Sequence, residues 1–370
     1  ERIERTRRLY GDQKNLLLMD NNVLASDHLK EIIDDIISCG FTPGAKYVEP
    51  NQYNIAIRNL RLRMNDRAYI RKAWKLLKDI NEKKRLNEND RTYIYHLREE
   101  HGLLHPETCT REELLKTYKD FAPFFDKIYA MQKGQLRYVD FNQGVDARLF
   151  NKERVALLSK IPVRPLRIAF DNINTEKKYT EALKMSVAAG MKDFSNYLLY
   201  NFDDKPTDLY HRLKVNVELC EELDVNIYSF PMKFHPIRGV HSHDRNYIGK
   251  YWNRKYIRAV QAILNATKGK VGRGVSFFEK AFGRNEDEFM ELLIMPETFL
   301  LFFEHLGYTQ RWREDMSKLT DEEKSELYPL IFKNDFNHIE DLTTNEKFRH
   351  ILVYYKNYRG EIADHSSDLY

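Results

Sequence analysis

Short apolar runs that recur about every 30 residues constrain the fold of this chain most strongly. Four of them begin at Tyr138, Leu166, Tyr197 and Ile227, and an earlier one begins at Leu16. A spacing of about 30 residues matches one β-strand plus one crossover helix. Unbroken apolar runs of this length are typical of strands that are buried on both faces of a parallel sheet. The sequence therefore predicts an α/β protein.

Helical patterns fill the segments between these runs. Residues Lys177–Ala189 and Asp208–Leu223 have this pattern, with Pro206 just before the second helix and Gly190 just after the first. Proline at a helix start and glycine after a helix end are both common. Successive βα units close into a barrel whose site lies at the carboxyl ends of the strands. We therefore predict a partial (β/α) TIM-type barrel over residues 1–240.

The interval between the first two runs is about 90 residues longer than one βα unit requires. A first helix is predicted at Asp27–Cys39, and the charged segment after it also has a helical pattern. We expect residues 45–135 to form a helical insertion in the barrel and residues 241–370 to form a C-terminal helical cap. The helices predicted in the insertion are Tyr53–Ile80, Asn89–His101 and Arg111–Met131.

Composition narrows the functional classes. The chain of 370 residues carries a net charge of +4 and has no apolar run near 18 residues, so no membrane partner is expected. Its three cysteines, Cys39, Cys109 and Cys220, lie far apart in the sequence. Scattered cysteines are typical of reduced thiols in a cytoplasmic protein. We therefore expect a cytoplasmic protein.

Polar side chains cluster where the apolar runs end. Burying such groups costs free energy unless they are paired, so each cluster indicates either a self-satisfied network or a binding site. The candidate residues are Asp20, Asn21, Asn22, Asp140, Asn142, Gln143, Asp146, Arg148, Asp171, Asn172, Asn201 and Lys233.

Each of these candidates also has a structural explanation. Residues 20–22 could cap a βα turn. Within the segment Asp140–Arg148, an aspartate could form an ion pair with Arg148. Asp171 and Asn172 could cap the following helix, and Lys233 could be a solvated residue after Pro231. Only the structure separates these alternatives.

Two further polar groups have less specific patterns. The residues His235, His241, His243 and Asp244 could suggest a metal site, but their spacing fits neither a helix face nor a zinc pattern, so a polar loop is expected. Basic residues could contact nucleic acid or form solvated helix faces. They are Arg58, Arg61, Arg63, Arg67 and Arg71 in the insertion, and Arg254, Lys255, Arg258, Lys268, Lys270 and Arg273 near the C-terminal region.

The strand-end motifs resemble those of a bacterial group of radical S-adenosylmethionine (radical SAM) proteins. The similarity covers about residues 1–50 and 136–300. It is carried by Leu17–Ala25, Tyr138–Arg148, Arg164–Asp171, Asn196–Phe202, Tyr228–Lys233, Tyr251–Lys255 and Lys268–Gly274. The resemblance implies a partial barrel of six βα units and a [4Fe–4S] cluster. An external donor reduces that cluster, which cleaves S-adenosylmethionine to a 5′-deoxyadenosyl radical that abstracts hydrogen from a substrate.

The resemblance also implies roles for the strand-end residues. Asp20, Asn21 and Asn22 would accept hydrogen bonds from the methionyl ammonium, and Arg148 would bind the methionyl carboxylate. The remaining roles concern the ribose, the adenine and the substrate. Asn142, Gln143 and Asp146 would bind ribose or substrate, and Asp171 and Asn172 would bind the ribose hydroxyls. The adenine would be flanked by Tyr200, Asn201 and Phe202, and Pro231, Met232 and Lys233 would complete that side of the adenine site.

The cluster ligands that the family uses are absent from this chain. The family holds its cluster with Cys-x3-Cys-x2-Cys, and no three cysteines here have that spacing. Because the chain begins at Glu1 with a helical pattern ahead of the first strand, we expect the first βα unit to lie upstream. The full-length protein is then expected to be a radical SAM enzyme with an unknown substrate.

Two other functions remain open from the sequence. A barrel without a cluster could serve as a nucleic-acid- or protein-binding module. A barrel enzyme could instead use Asp140, Asp171 and Arg148 in acid–base chemistry.

Overall fold

The chain folds as a mixed α/β protein in the computed structural model, which describes residues 1–19, 22–301 and 308–356. Its contacts divide it into two units. The first unit contains Glu1–Leu18, Asp27–Asp140 and Leu157–Arg164, and the second contains Met19–Ser26, Phe141–Ala156 and Pro165–Tyr370.

The first unit begins with a helix, a short strand and a second helix. These are α1 (Arg2–Tyr10), β1 (Asn15–Leu18) and α2 (Leu29–Ser38), and α2 confirms the helix that the sequence predicts there. Strand β1 covers most of the apolar run Leu16–Met19, and a 3₁₀ helix follows at Val23–Ala25.

The segment 45–135 is helical, bracketed by two short antiparallel strands that the sequence does not predict. In chain order it contains β2 (Lys46–Tyr47), α3 (Gln52–Arg61), α4 (Asp66–Asp79), a 3₁₀ turn at Ile80–Glu82, α5 (Glu88–Glu100), α6 (Arg111–Lys116), α7 (Tyr118–Ala130) and β3 (Gln135–Leu136). The prediction of one helix over Tyr53–Ile80 is wrong. Helix α3 ends at Arg61, Arg63 then adopts φ 53°, and Asn65 caps α4 by accepting a hydrogen bond from the Ala68 amide.

The helices of this segment share one apolar core. Tyr53 on α3 stacks on Phe125 of α7 with ring centroids 4.2 Å apart, and both are buried. Leu77 of α4 and Ile94 of α5 are fully buried in the same cluster. The segment therefore buries its apolar faces against its own helices.

Strand β4 (Tyr138–Phe141) pairs with β1, and the following strands build a parallel sheet in the second unit. That sheet has the order β5-β6-β7-β8, and each pair is parallel. The elements in chain order are β5 (Val145–Asp146), α8 (Lys152–Leu158), β6 (Leu166–Ala169), α9 (Glu176–Ala188), β7 (Asp193–Tyr200), α10 (Pro206–Leu223) and β8 (Asn226–Lys233). The predicted α/β class with parallel strands is confirmed.

The sheet is less buried than the apolar runs suggest. In β6 the buried residues Leu166 and Ile168 alternate with the partly exposed Arg167 and Ala169. Strand β8 alternates in the same way. One face of the sheet therefore packs against helices, while the other stays accessible. The expectation of strands buried on both faces is wrong for these two strands.

A buried polar network joins the packed face to its helices. The Tyr179 hydroxyl on α9 donates to Asn216 of α10 at 2.7 Å and accepts from Asn196 of β7 at 2.8 Å. Asn216 in turn donates to the Ser229 hydroxyl of β8 at 2.8 Å. These paired groups fix how α9 and α10 sit on the strands.

The rest of the second unit is helical. Its helices are α11 (Arg254–Ala266), α12 (Val275–Phe282), α13 (Glu286–Ile294), α14 (Glu297–Leu301), α15 (Tyr308–Ser317), α16 (Asp321–Lys333), α17 (Ile339–Leu342) and α18 (Glu346–Val353). Val271 also forms an antiparallel bridge to Ser229 of β8. Across the described part of the chain, every helix is too short or too polar to cross a bilayer.

Candidate functional site

A cavity of about 400 Å³ lies on the accessible face of the parallel sheet and extends from the turn before β5 to the carboxyl ends of β6 and β8. All four strands or the loops that join them contribute to its wall. The lining residues are Asn142, Gln143, Gly144, Arg167, Ile168, Ala169, Asp171, Asn196, Tyr197, Leu199 and Met232. In open parallel sheets, ligands bind at this end of the strands.

A tight turn places Asn142 and Gln143 at one side of the cavity. The Gly144 amide donates to the Phe141 carbonyl at 3.0 Å, and Gly144 adopts φ 81°, a conformation that favours glycine. Asn142 is partly exposed and its amide approaches the Met19 sulfur at 3.6 Å. A weak sulfur acceptor leaves the Asn142 amide available for a stronger partner.

The floor of the cavity combines a cation with aromatic and apolar side chains. Arg167 of β6 donates to the Ser195 hydroxyl at 3.1 Å, and its guanidinium carbon lies 5.7 Å from the ring centroid of Tyr197. Met232 of β8 is half exposed at the same face. Sequence analysis did not single out Arg167 or Tyr197. The alternation of Leu166-Arg167-Ile168-Ala169 is the signal that would have found Arg167.

Asp171 supplies a carboxylate at the end of β6. Asp171 lines the cavity and its side chain is exposed there. The surrounding protein atoms nevertheless reduce the hydration of its carboxylate, and this desolvation raises the pKa of Asp171 above its ordinary value. The cation of Arg212 opposes that rise but does not cancel it. Asp171 is therefore a carboxylate that gains from a positively charged or hydrogen-bond-donating ligand.

Arg212 of α10 holds the strand end that carries Asp171. Its guanidinium is fully buried and donates to the main-chain carbonyls of Phe170 at 3.2 Å, Asp171 at 2.9 Å and Leu199 at 2.9 Å. It also donates to the Asp204 carboxylate at 3.0 Å. One side chain thereby ties the ends of β6 and β7 together.

Asn196 contributes a polar atom whose hydrogen-bonding capacity is not used. Its amide nitrogen donates to Tyr179, but its buried Oδ1 has no hydrogen-bond partner among the described residues. Native proteins rarely leave such an atom unpaired. The Asn196 side chain lies on the packed face of β7 beside Tyr179, so this oxygen is not available to a ligand in the cavity.

Asp146 and Arg148 pair with each other instead of lining the cavity. The Arg148 Nε donates to both carboxylate oxygens of Asp146 at 3.0 Å, and the Arg148 amide donates at 2.9 Å. This contact lowers the pKa of Asp146, with the Arg148 hydrogen bond as its largest cause. The structure thus shows the ion pair that the sequence left open as an alternative to carboxylate binding.

Asn172 and Asn201 also satisfy their side chains within the fold. Asn172 caps the 3₁₀ helix at Ile173–Thr175 by accepting from the Asn174 amide at 2.8 Å. Asn201 is fully buried, donates to the Tyr247 carbonyl at 3.0 Å and accepts from the Gly249 amide at 2.9 Å. Both side chains have structural partners, and neither residue lines the cavity.

The remaining predicted residues are spread around the strand ends. Lys233 donates to the Arg245 carbonyl at 3.0 Å, and burial lowers its pKa. Tyr200 is buried beside Trp252, and Phe202 is half exposed beside Phe234. The structure places none of these aromatic rings in the cavity wall.

The predicted ammonium-binding residues at 20–22 can be placed only in part. Asp20 and Asn21 lie outside the described residues. Asn22 precedes the 3₁₀ helix at Val23–Ala25, where its side chain makes no capping hydrogen bond. Its Oδ1 is buried with no hydrogen-bond partner in the described structure, so it could accept from a ligand.

No iron-binding group is formed by the residues that the structure describes. Cys39, Cys109 and Cys220 are free thiols, and the described His, Cys, Asp and Glu residues form no group of three suited to a metal. Burial raises the pKa of Cys109 to about 11 and also raises that of Cys220, which disfavours the thiolates that iron requires. His235, His241, His243 and Asp244 accordingly form no metal group.

Several of the basic residues near the C-terminal region are engaged in ion pairs. Arg258 donates to both carboxylate oxygens of Glu297, at 2.8 and 2.9 Å. Arg273 pairs with Asp224 at 2.8 Å and with Glu221 at 3.2 Å. These contacts favour a charge-balanced surface over a nucleic-acid-binding one.

Comparison with known proteins adds no relative to this description. No family model, curated protein or solved structure matches the chain. The function must therefore be argued from the geometry of the cavity and from the sequence motifs that surround it.

Proposed function

We propose that the cavity on the parallel sheet binds S-adenosylmethionine and that the protein is a cytoplasmic radical SAM-type enzyme. Under this proposal the sheet is one side of a partial (β/α) barrel, and the missing partners are an electron donor and a substrate of unknown identity. The resemblance of the strand-end motifs to those of radical SAM proteins supports this proposal, and the cavity offers a volume for the cofactor.

A single observation carries the proposal: the cavity combines acceptors for a cationic ligand with flat and apolar surfaces. Asn142, Gln143 and Asp171 line it, and their side-chain oxygens can accept hydrogen bonds from an ammonium or from ribose hydroxyls. Tyr197, Leu199 and Met232 offer contacts for the adenine and the sulfonium-linked carbons. A volume of about 400 Å³ is within the range of ligand pockets.

The implied iron–sulfur cluster does not fit the residues of this chain. The three cysteines of the chain do not have the Cys-x3-Cys-x2-Cys spacing that holds such a cluster. Cys109 and Cys220 are also buried, with raised thiol pKa values. Only binding of S-adenosylmethionine is therefore proposed for the residues of this chain.

Isothermal titration calorimetry with S-adenosylmethionine tests the proposal directly. The purified chain is expected to bind the cofactor saturably. Asp171→Asn should weaken that binding about tenfold or more, because a hydrogen bond to a charged group contributes about 1.5–3 kcal/mol. Adenosine, which lacks the ammonium, should bind the wild type and Asp171→Asn almost equally if Asp171 binds the ammonium.

Asp203→Asn is the matched control. Asp203 is an exposed carboxylate just past the end of β7 and does not line the cavity, so its replacement should leave the affinity unchanged. Absence of saturable binding at millimolar cofactor would refute the proposal. Equal weakening in both variants would show that general charge, and not the cavity, governs binding.

A further inference from the structure

The C-terminal helices enclose a second cavity that the proposed cofactor site does not use. Its volume is about 720 Å³, and its walls come from α11, the start of α14, the loop after α16 and the end of α18. The polar part of the wall combines charged side chains with four amides, which are Gln261, Asn265, Asn334 and Asn337. Such a wall suits a polar small molecule.

Lys255 is the unusual member of this wall. It lies in the first turn of α11 and is fully buried. Its ammonium nitrogen has no hydrogen-bond partner among the residues that the structure describes. The ring of Tyr355, 5.9 Å from that nitrogen, gives only a weak cation–π contact. Three donor hydrogens of a buried ammonium are thus left without an acceptor.

The nearby charges do not neutralise Lys255. Glu297 is the neighbouring carboxylate, but both of its oxygens already accept from Arg258. The first turn of a helix is its positive end, which is unfavourable for a cation. Burial lowers the pKa of Lys255 to about 8; the Glu297 carboxylate opposes that shift, and the Arg258 charge adds to it.

We propose that this cavity binds a small polar molecule through an oxyanion, a carboxylate or a phosphate, that is held by the Lys255 ammonium. The oxyanion supplies the missing acceptors and neutralises the charge at the start of α11. The four-carbon stem of lysine is flexible enough to bring the ammonium to an anion that enters the cavity. This site is independent of the proposed cofactor site.

The other wall residues limit the kind of ligand. The stacked rings of Phe336 and Tyr355, 4.9 Å apart, give one flat apolar surface. Gln261, Asn265 and Asn337 can bind hydroxyl or carbonyl groups. Glu297 and Asp335 also line the cavity and oppose a second negative charge. The ligand class is therefore a small, polar molecule that carries one anionic group.

Thermal unfolding of the whole chain with inorganic phosphate and with acetate tests the proposal. Ionic strength is held constant with sodium chloride. At least one of the two anions is expected to raise the unfolding temperature of the wild type saturably, by a few degrees, because it binds only the folded state. Phosphate and acetate distinguish the two possible oxyanions.

Lys255→Met is the decisive variant, and Arg254→Met is its control. Arg254 is the exposed neighbour on the same turn, so its replacement removes one charge without touching the buried amine. Lys255→Met should weaken anion binding about 30-fold or more, and the anion-free variant should unfold at the same or a higher temperature than the wild type. Arg254→Met should respond to the anion as the wild type does.

Lys255→Gln is the second variant if the methionine substitution prevents folding. It removes the charge while keeping a polar group of similar reach, and it should weaken anion binding by a similar factor. An equal response of the wild type and a Lys255 variant would overturn the proposal. Lack of any saturable response of the wild type to either anion would overturn it as well.

Discussion

At Asp171, folding stability and the proposed binding impose opposite demands. Desolvation raises the pKa of this carboxyl, so the folded state keeps the proton to a higher pH than the unfolded chain. Ionisation of Asp171 therefore lowers the free energy of unfolding as the pH rises from its ordinary pKa through its raised pKa in the folded state. A ligand cation would reverse that loss.

Asp171→Asn should accordingly separate stability from binding. Below the ordinary aspartate pKa, the variant and the wild type should be equally stable, because the wild-type side chain is then neutral in both states. As the pH rises through the window above that pKa, the wild type should lose stability relative to the variant. Urea unfolding at several pH values measures the difference. A variant that is less stable than the wild type at neutral pH would contradict the assignment.

Local contacts explain which candidate residues could be recognised from the sequence. The cluster at the strand ends was recognisable because polar groups after apolar runs are uncommon, and Asn142, Gln143 and Asp171 do line one cavity. Whether such a group faces a ligand or another side chain depends on its neighbours in space, and the sequence alone does not show which residues those are. Arg148 lies two residues from Asp146, and that short separation lets the two pair locally.

Removal of that pair gives a prediction at a single residue. Arg148→Ala should raise the pKa of Asp146 toward its ordinary value, because the Arg148 hydrogen bond is the main reason why that pKa is low. Overall stability should change little, since both side chains are at the surface. A nuclear magnetic resonance titration of the Asp146 carboxyl measures the shift. An unchanged pKa would show that the ion pair does not persist in solution.

Secondary-structure elements were predicted most accurately where the pattern is long. Helices α2, α9 and α10 and strands β6 and β8 occur near their predicted positions. Strand β7 starts at Asp193, four residues before the run at Tyr197, because Phe194, Ser195 and Asn196 are also buried. The two-residue strands β2 and β3 were missed, since so short a ladder leaves no periodic signal.

Arg212 of α10 connects the ends of β6 and β7, so it should contribute more to folding stability than any single hydrogen bond at the strand ends. Arg212→Met should lower the free energy of unfolding by about 3–5 kcal/mol, because it leaves the mostly buried Asp204 carboxylate and four main-chain carbonyls without this donor. Arg212→Lys should restore little, since an ammonium cannot reproduce the planar fork of the guanidinium. Urea unfolding provides the measurement. Full rescue by lysine would show that charge alone is required.

At the scale of the whole molecule, the division into two units has an energetic consequence. The helices α3 to α7 bury their apolar faces mainly against one another, around Tyr53, Leu77 and Phe121. A segment with its own core can fold without the chain on either side of it. The sequence predicted a helical segment here but not its division into these five helices, and their shared core depends on contacts between residues far apart in the chain.

We therefore expect residues 42–135, produced alone, to be helical by circular dichroism and to unfold in one cooperative thermal transition. Phe121→Ala in this fragment should cost about 3–5 kcal/mol, because it opens a cavity in the core, and should abolish that transition. Tyr95→Ala removes a comparable but largely exposed ring and should leave the transition in place. A wild-type fragment without cooperative unfolding would show that these helices need contacts from the rest of the chain. The core of α3 to α7 alone would then be too small to offset the conformational entropy lost on folding.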